Sequence, residues 1–505
     1  NLSRISSGSA TASISPNLGL VVNTNVSSSA TSTASFGTYL GDGSQLSGIS
    51  TTPPSGRFGI SDGSGSFTYY SSLSASMAAA TSGDSIEAFA NVTVSGSDLG
   101  VITLKDGVDI NLNGYEYAMS ASGTESTFTD GGSAVFCNIF NGIVKRIGST
   151  ESGYKTNNAL LLDNLSTEVF CDGVTFESDG PQFAIFLEGG SLKGAKAKNT
   201  GTGGGIGIYD NTNYTDSAVD CQAYSTGTGG DGIYAHRGNI INCYGYSNAG
   251  YGIRNGGASE NLMTNCVGES DGDSGIKVSG GARVQGCHGF STSGVGIEAS
   301  GGTFANIVES SGYSSNGAGV DLRTGGNYWN VHGVSDSGGA GISIINGSGD
   351  IKLGKSTAQA NADAAVYILN NNASVDINGL EAYSLYDNTD GNALEINGSS
   401  TERITITDSV LKVTNAGANC LYAASSKNLN YLRNTFKGAT VAVNTNITQY
   451  NNNVPDNQDN IHVTSSVDNS RVYSGSFSGS YVGDGSQLSG ISSGGATEEF
   501  VWFIA

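Results

Sequence analysis

The sequence predicts an all-β protein built around a long parallel β-helix, and three observations carry that prediction. Glycine supplies 76 of 505 residues, charged residues only 13%, and much of the remainder is Ser, Thr and Asn. Such a mix favours turns and extended backbone over helix. A unit also recurs: Cys243, Cys266 and Cys287 are each followed two residues on by glycine and ten residues on by the Ile of a Gly-Ile pair. Tracking that apolar position gives Ile206, Ile233, Ile253, Ile276, Ile297, Val320, Ile342, Val366, Leu394, Leu421 and Val441, with Val135, Leu160 and Ile185 as looser antecedents, spaced 20 to 28 residues apart. Finally, short runs such as "GIKVSG" alternate, so that Ile276 and Val278 share one face and Lys277 takes the other, which is the period of a strand. A repeat of about two dozen residues made of short strands fits one coil of a β-helix.

The elements follow in chain order. Residues 1–65 are Ser/Gly-rich and contain "YLGDGSQLSGIS" from Tyr39, almost the same dodecamer as "YVGDGSQLSGIS" from Tyr481. Residues 66–84 are expected to cap the first coil with a helix over 72–80, because an open coil edge invites further strand pairing. Residues 85–455 form the shaft, about 14–16 coils; at about 4.8 Å per coil this is a rod on the order of 75 Å long. Within it Cys221, Cys243, Cys266 and Cys287, continued by Ile307 and Val331, read as an internal column of small buried side chains. Residues 456–505 hold the second dodecamer and the apolar end "EEFVWFIA", which suggests a buried tip or a docking peptide.

Two stretches carry resemblances. "SGDSIEAFANVTVSGSDLGVITLKDGVDINLNGYEY" from Ser82 resembles the first coils of pectate-lyase-like right-handed parallel β-helix proteins, which implies a right-handed shaft. "GDGSQLSGI" resembles the short GDGSxLTGI repeats of tail fibres and tailspikes of tailed bacteriophages. That resemblance implies a homotrimer, a place in the virion tail or outside the cell, other tail components as partners, and a host surface polysaccharide as the ligand. A single copy of the dodecamer has too few apolar residues to bury its own face. Three copies around an axis would bury Leu46 and Ile49, or Leu488 and Ile491, against one another.

The formal charge of −22 disfavours nucleic acid and anionic membrane surfaces, which require basic residues. No apolar run is long enough for membrane insertion, and no charged segment followed by an apolar one opens the chain as a signal peptide. The seven cysteines form neither CxxC pairs nor a Cys/His cluster, so no metal and no cofactor is expected.

For chemistry, the residue after each register position points outward and gives the column Tyr234, Arg254, Lys277, Glu298, Asp321, Ser343, Tyr367, Glu395 and Tyr422. Glu298 and Asp321 fall on adjacent coils and form the best candidate catalytic pair for glycoside hydrolysis, which requires two carboxyl groups about 5 to 9.5 Å apart. Arg254, Lys277, Glu298 and Asp321 also read as a solvated charge ladder in which opposite signs meet at Lys277 and Glu298. Asp231, His236 and Arg237 lie within one coil, but Asp231 also suits a turn. His288 and His332 fall two coils apart, about 10 Å, too far to share a metal. Sugar binding without cleavage requires outward aromatic rings beside hydroxyl-bonding groups. Tyr224, Tyr244, Tyr246 and Phe290 form such a flank, with Tyr234 and Arg254 beside it.

Three functional classes remain from the sequence: a phage fibre or tailspike that recognises a host glycan with or without degrading it, a subunit of a bacterial extracellular filament or adhesin, and a free polysaccharide lyase or hydrolase. The last is disfavoured by the absence of a dense carboxylate, Lys or Arg cluster.

Overall fold

The computed structural model describes residues 56–443, apart from short intervening stretches, together with five strands outside that span. Both dodecamers, with Leu46, Ile49, Leu488 and Ile491, and the apolar C-terminal octapeptide lie outside the described residues. The chain divides into two units, Asn1–Thr52 and Pro53–Ala505. The first contains a three-stranded antiparallel sheet, Arg4–Ser7, Ala10–Ser15 and Gly19–Val22, in a segment whose composition alone reads as linker.

The second unit is a right-handed parallel β-helix of about 13 turns. Each full turn contributes a strand to each of three faces. The first face carries the register column, and every predicted pairing from Leu160 through Ile185, Ile206 and Ile233 to Leu421 and Val441 is present. One antecedent is corrected. Leu160 stacks on Phe128, which stacks on Ile102, while Val135 is buried immediately before strand Phe136–Ile147. The step from 128 to 160 is 32 residues (160 − 128), longer than the repeat, so counting back by the usual period lands on the wrong apolar residue.

The thiol column also stands, with one change. Cys287 N–H donates to Ser310 Oγ at 3.2 Å, and Ile307 instead pairs with Val284 on the second face. Val331 continues the column and donates its N–H to Ser356 Oγ at 3.1 Å. The residue before each member is in left-handed backbone: Asp220, Asn242, Asn265, Gly286, Glu309, Asn330, Lys355, Gly379, Asp408 and Arg433 have φ between 47° and 70°. This single residue swings the chain from the second face to the third. Asn is favoured there, and the amides link adjacent turns, Asn242 Nδ2 to Asp220 Oδ1 at 3.1 Å and Asn265 Nδ2 to Asn242 Oδ1 at 3.3 Å.

The two glycines of the repeat have one cause. A Cβ on Gly245, Gly268, Gly289, Gly312 or Gly333 of the third face would collide with the carbonyl of Gly252, Gly275, Gly296, Gly319 or Gly341, the glycine preceding the register residue. The third face is therefore pressed backbone to backbone against the start of the first. Where the third face ends, Ser225, Ser247, Ser270, Ser291, Ser314 and Ser335 form an internal stack. Each hydroxyl donates to a carbonyl of the preceding turn, as Ser291 does to Asp273 at 2.6 Å, and several accept an N–H of the turn that follows them, as Ser291 does from Gly294 at 2.8 Å. These bonds satisfy buried polar groups that would otherwise cost stability.

The cap forms over the predicted span and more. The helix Leu73–Ala79 is N-capped by Ser72, whose Oγ accepts the Ala75 N–H at 3.1 Å, and it buries Leu73 and Met77. Lys105 donates to the carbonyl of Ala80 at its C-terminal end. Strand Phe58–Ser61 adds antiparallel to Ser85–Ala88 and to Phe67–Tyr70, so capping strands begin ahead of the helix. At the other end Asn460–Val463 is itself paired antiparallel with Arg471–Ser474.

Candidate ligand-binding faces

The third face presents two outward columns. One runs through Tyr224, Tyr246, Glu269, Phe290 and Tyr313, and Tyr244 belongs to the other. The structure thus brings together Tyr224, Tyr244 and Tyr246, with Tyr224 5.6 Å from Tyr244 and 6.4 Å from Tyr246 between ring centroids. Phe290 is 42% exposed and lies one rung beyond Glu269, where it meets Tyr313 at 6.3 Å. Two members escape the sequence reading: Tyr313, which occupies the repeat position of Phe290, and Lys196, whose ammonium lies 5.2 Å from the Tyr224 ring centroid.

The phenols are oriented by carboxylates of the next rung. Tyr244 Oη donates to Glu269 Oε2 at 2.7 Å, and Tyr246 Oη donates to Asp271 Oδ2 at 2.7 Å. The bond to Asp271, then burial, pushes the Tyr246 phenol up to about 12. Burial and the bond to Glu269 push Tyr244 upward as well. Each carboxylate keeps lone pairs for a further donor. Rings held at fixed angle beside acceptors are what stacking on a sugar and bonding its hydroxyls require.

Tyr234 and Arg254 lie on the first face, with the guanidinium 4.4 Å from the Tyr234 centroid. Arg254 also pairs with buried Asp231 at 2.8 Å. Burial raises the Asp231 carboxyl, against the pull of Arg254. His236 stacks on Tyr209 at 4.5 Å, and burial followed by Arg237 pushes its imidazole down. Asp231 and His236 thus each have a packing role. His288 and His332 flank Ser311 on the third face and bond Ser311 and Thr357.

The outward column on the first face is aligned as expected, yet it is not a solvated ladder. Glu298 is 8% and Asp321 2% exposed. The two sit on adjacent rungs. Glu298 accepts from Ser300 at 2.6 Å, Ser274 at 2.9 Å and Lys277 at 3.3 Å. Burial pushes its carboxyl up, but these hydrogen bonds and the Lys277 charge outweigh it, so the net shift is downward. For Asp321 burial wins and the carboxyl is raised, although Arg323 binds Oδ2 through Nε at 2.8 Å and a second nitrogen at 2.6 Å. Lys277 also donates to Tyr251 Oη at 3.0 Å. At Glu298 the turn residue Ser274 reaches over the strand position to bond the carboxylate, a contact that strand alternation alone does not reveal.

Among the described residues no group of three His, Cys, Asp or Glu side chains could hold a metal ion. No family model, curated protein or solved structure matches the chain.

Proposed function

We propose that this β-helix is the shaft of a surface-exposed fibre or tailspike, and that its outer wall recognises a host cell-surface glycan. The observation that carries the reading is the Tyr224, Tyr244, Tyr246 group beside Glu269 and Asp271, continued by Phe290 and Tyr313. Aromatic rings in register across a rigid wall offer a repeating surface to a repeating polymer. The trimer belongs to the same reading, with Leu46, Ile49, Leu488 and Ile491 as the apolar contacts around the axis and other tail components as further partners. Binding of the full chain to immobilised surface polysaccharide from candidate hosts tests it. Saturable binding weakened in Tyr246→Ala supports the reading, and absence of binding to all of them overturns it. Sedimentation equilibrium tests the trimer separately.

Cleavage is a second reading, favoured by one observation. Glu298 and Asp321 are adjacent carboxyls whose environments push their pKa values apart, the pattern expected of an acid and base pair. Their burial and the guanidinium on Asp321 weigh against it. New reducing ends released from the bound polysaccharide, and abolished by Glu298→Gln, would establish it.

A further inference from the structure

The second face carries a groove that none of these readings uses. Trp329, 46% exposed, stands on strand Val320–Trp329 and stacks in register above Gly354, Asn378 and Thr407. A Cβ on Gly354 would collide with the six-membered ring of the indole. The glycine therefore makes room for the ring to lie against the next rung. The parallel column runs Asn327, Lys352, Asp376 and Thr405. All of these except Thr405 line a groove of about 450 Å³. Three rung steps make it about 14 Å long.

The lining specifies the ligand's chemistry. An exposed indole face takes the apolar C–H face of a pyranose. Asn327, Asn378 and Thr407 supply donors and acceptors for ring hydroxyls. Asn378 is positioned by its own bond to Thr407 Oγ1 at 2.8 Å. Two lysines flank the ring: exposed Lys352 in the neighbouring column, and Lys355, whose ammonium lies 5.6 Å from the Trp329 centroid. Asp376, the carboxylate in the groove, lies 4.0 Å from Arg403. On a chain of formal charge −22, two lysines bracketing an exposed indole form a local site for a single negative charge beside an apolar ring.

We propose that this groove binds a carboxylated pyranose unit of an acidic polysaccharide, its ring on Trp329 and its carboxylate between Lys352 and Lys355. The assignment rests on the glycan-binding reading above and names the sugar class.

Isothermal titration calorimetry of the full chain with a galacturonate hexamer, and with maltohexaose as the neutral counterpart, tests it. The galacturonate hexamer binds saturably and maltohexaose at least tenfold more weakly. Trp329→Ala lowers the affinity for the acidic hexamer by about tenfold and Trp329→Phe by less. Lys352→Gln, an exposed change with little bearing on folding, weakens the acidic hexamer and leaves maltohexaose unchanged. The proposal is overturned by absence of binding to the acidic hexamer, by equal binding of both hexamers, or by unchanged affinity in Trp329→Ala with a wild-type melting curve. If host polysaccharide still binds the full chain in those cases, only this groove assignment is lost. If no polysaccharide binds at all, the broader reading goes with it.

Discussion

Gly289 and Gly296 face each other with no room for a side chain: a Cβ on Gly289 would run into the carbonyl of Gly296, whose own Cβ position is closed by the backbone N–H of Tyr313. This contact repeats on successive turns and explains why the motif spaces its glycines as it does. Gly289→Ala is expected to destabilise the chain by about 1–3 kcal/mol through overpacking. Phe290→Ala, the adjacent and exposed residue, should change stability by less than about 0.5 kcal/mol. Urea melts of the two variants check the contrast, and equal losses would refute the backbone-to-backbone account.

The thiol column makes a second prediction. Cys243, Cys266 and Cys287 contact the carbonyl two residues back through Sγ, as Cys287 does with Gln285 at 3.4 Å; Ser310 donates to Val308 at 2.8 Å and Ser409 to Thr407 at 2.8 Å in the same way. Hydroxyl and thiol are thus interchangeable at this corner. Cys287→Ser should cost less than about 1 kcal/mol, its new hydroxyl bond offsetting lost apolar contact. Cys287→Asp should cost several times more, because it buries a carboxylate without a cation beside it. Thermal melts at neutral pH compare the two.

The fold was legible because stacking makes the sequence repeat itself: each rung places Ile or Val at one point of the section, and Cys or Ser at another, under the same constraint. The readings that fail do so where that periodicity breaks. Val135 stood in for Phe128 because the intervening turn is longer than the rest, and Ile307 for Ser310 because a serine in an apolar column gives no hydrophobic signal. The site was less legible. Alternation told which side of the strand Glu298 and Asp321 take, but not that the turn residue Ser274 bonds Glu298 or that Arg323 of the same strand folds back onto Asp321. Trp329 escaped notice because nothing in its own strand announces that the next rung supplies Gly354 beneath it. The dodecamers carry the trimer expectation on sequence alone.

The aromatic flank yields a third prediction. Tyr244→Ala and Tyr246→Ala should each weaken binding to the cognate polysaccharide about five- to tenfold, the scale of one aromatic stacking contact. Tyr246→Phe keeps the ring and loses the bond to Asp271, so it should retain most of the affinity. Because the rings stand on the outer wall, melting temperatures should stay within about a degree of wild type. A loss of binding accompanied by a loss of fold would remove the support these rings give to a recognition surface.

Glu298 makes the fourth prediction, and its sign can be worked out. Its carboxyl titrates below its ordinary value of 4.5 in the folded chain, since Ser300, Ser274 and Lys277 hold the ionised form against the cost of burial. A depressed folded value contributes stability that is present above 4.5 and is lost as pH falls through the folded value. The wild-type melting temperature should therefore fall between about pH 5 and pH 3 more steeply than that of Glu298→Gln. At pH 7 the same variant should be less stable than wild type, because Lys277 loses its charged partner in a partly buried site. Asp321 works in the opposite sense: its value is raised by burial, so its ionisation costs stability as pH rises through that value, and it cannot produce the acid loss assigned to Glu298. Parallel pH–melting curves for wild type and Glu298→Gln would show that the three hydrogen bonds at Glu298 do not favour its charged form.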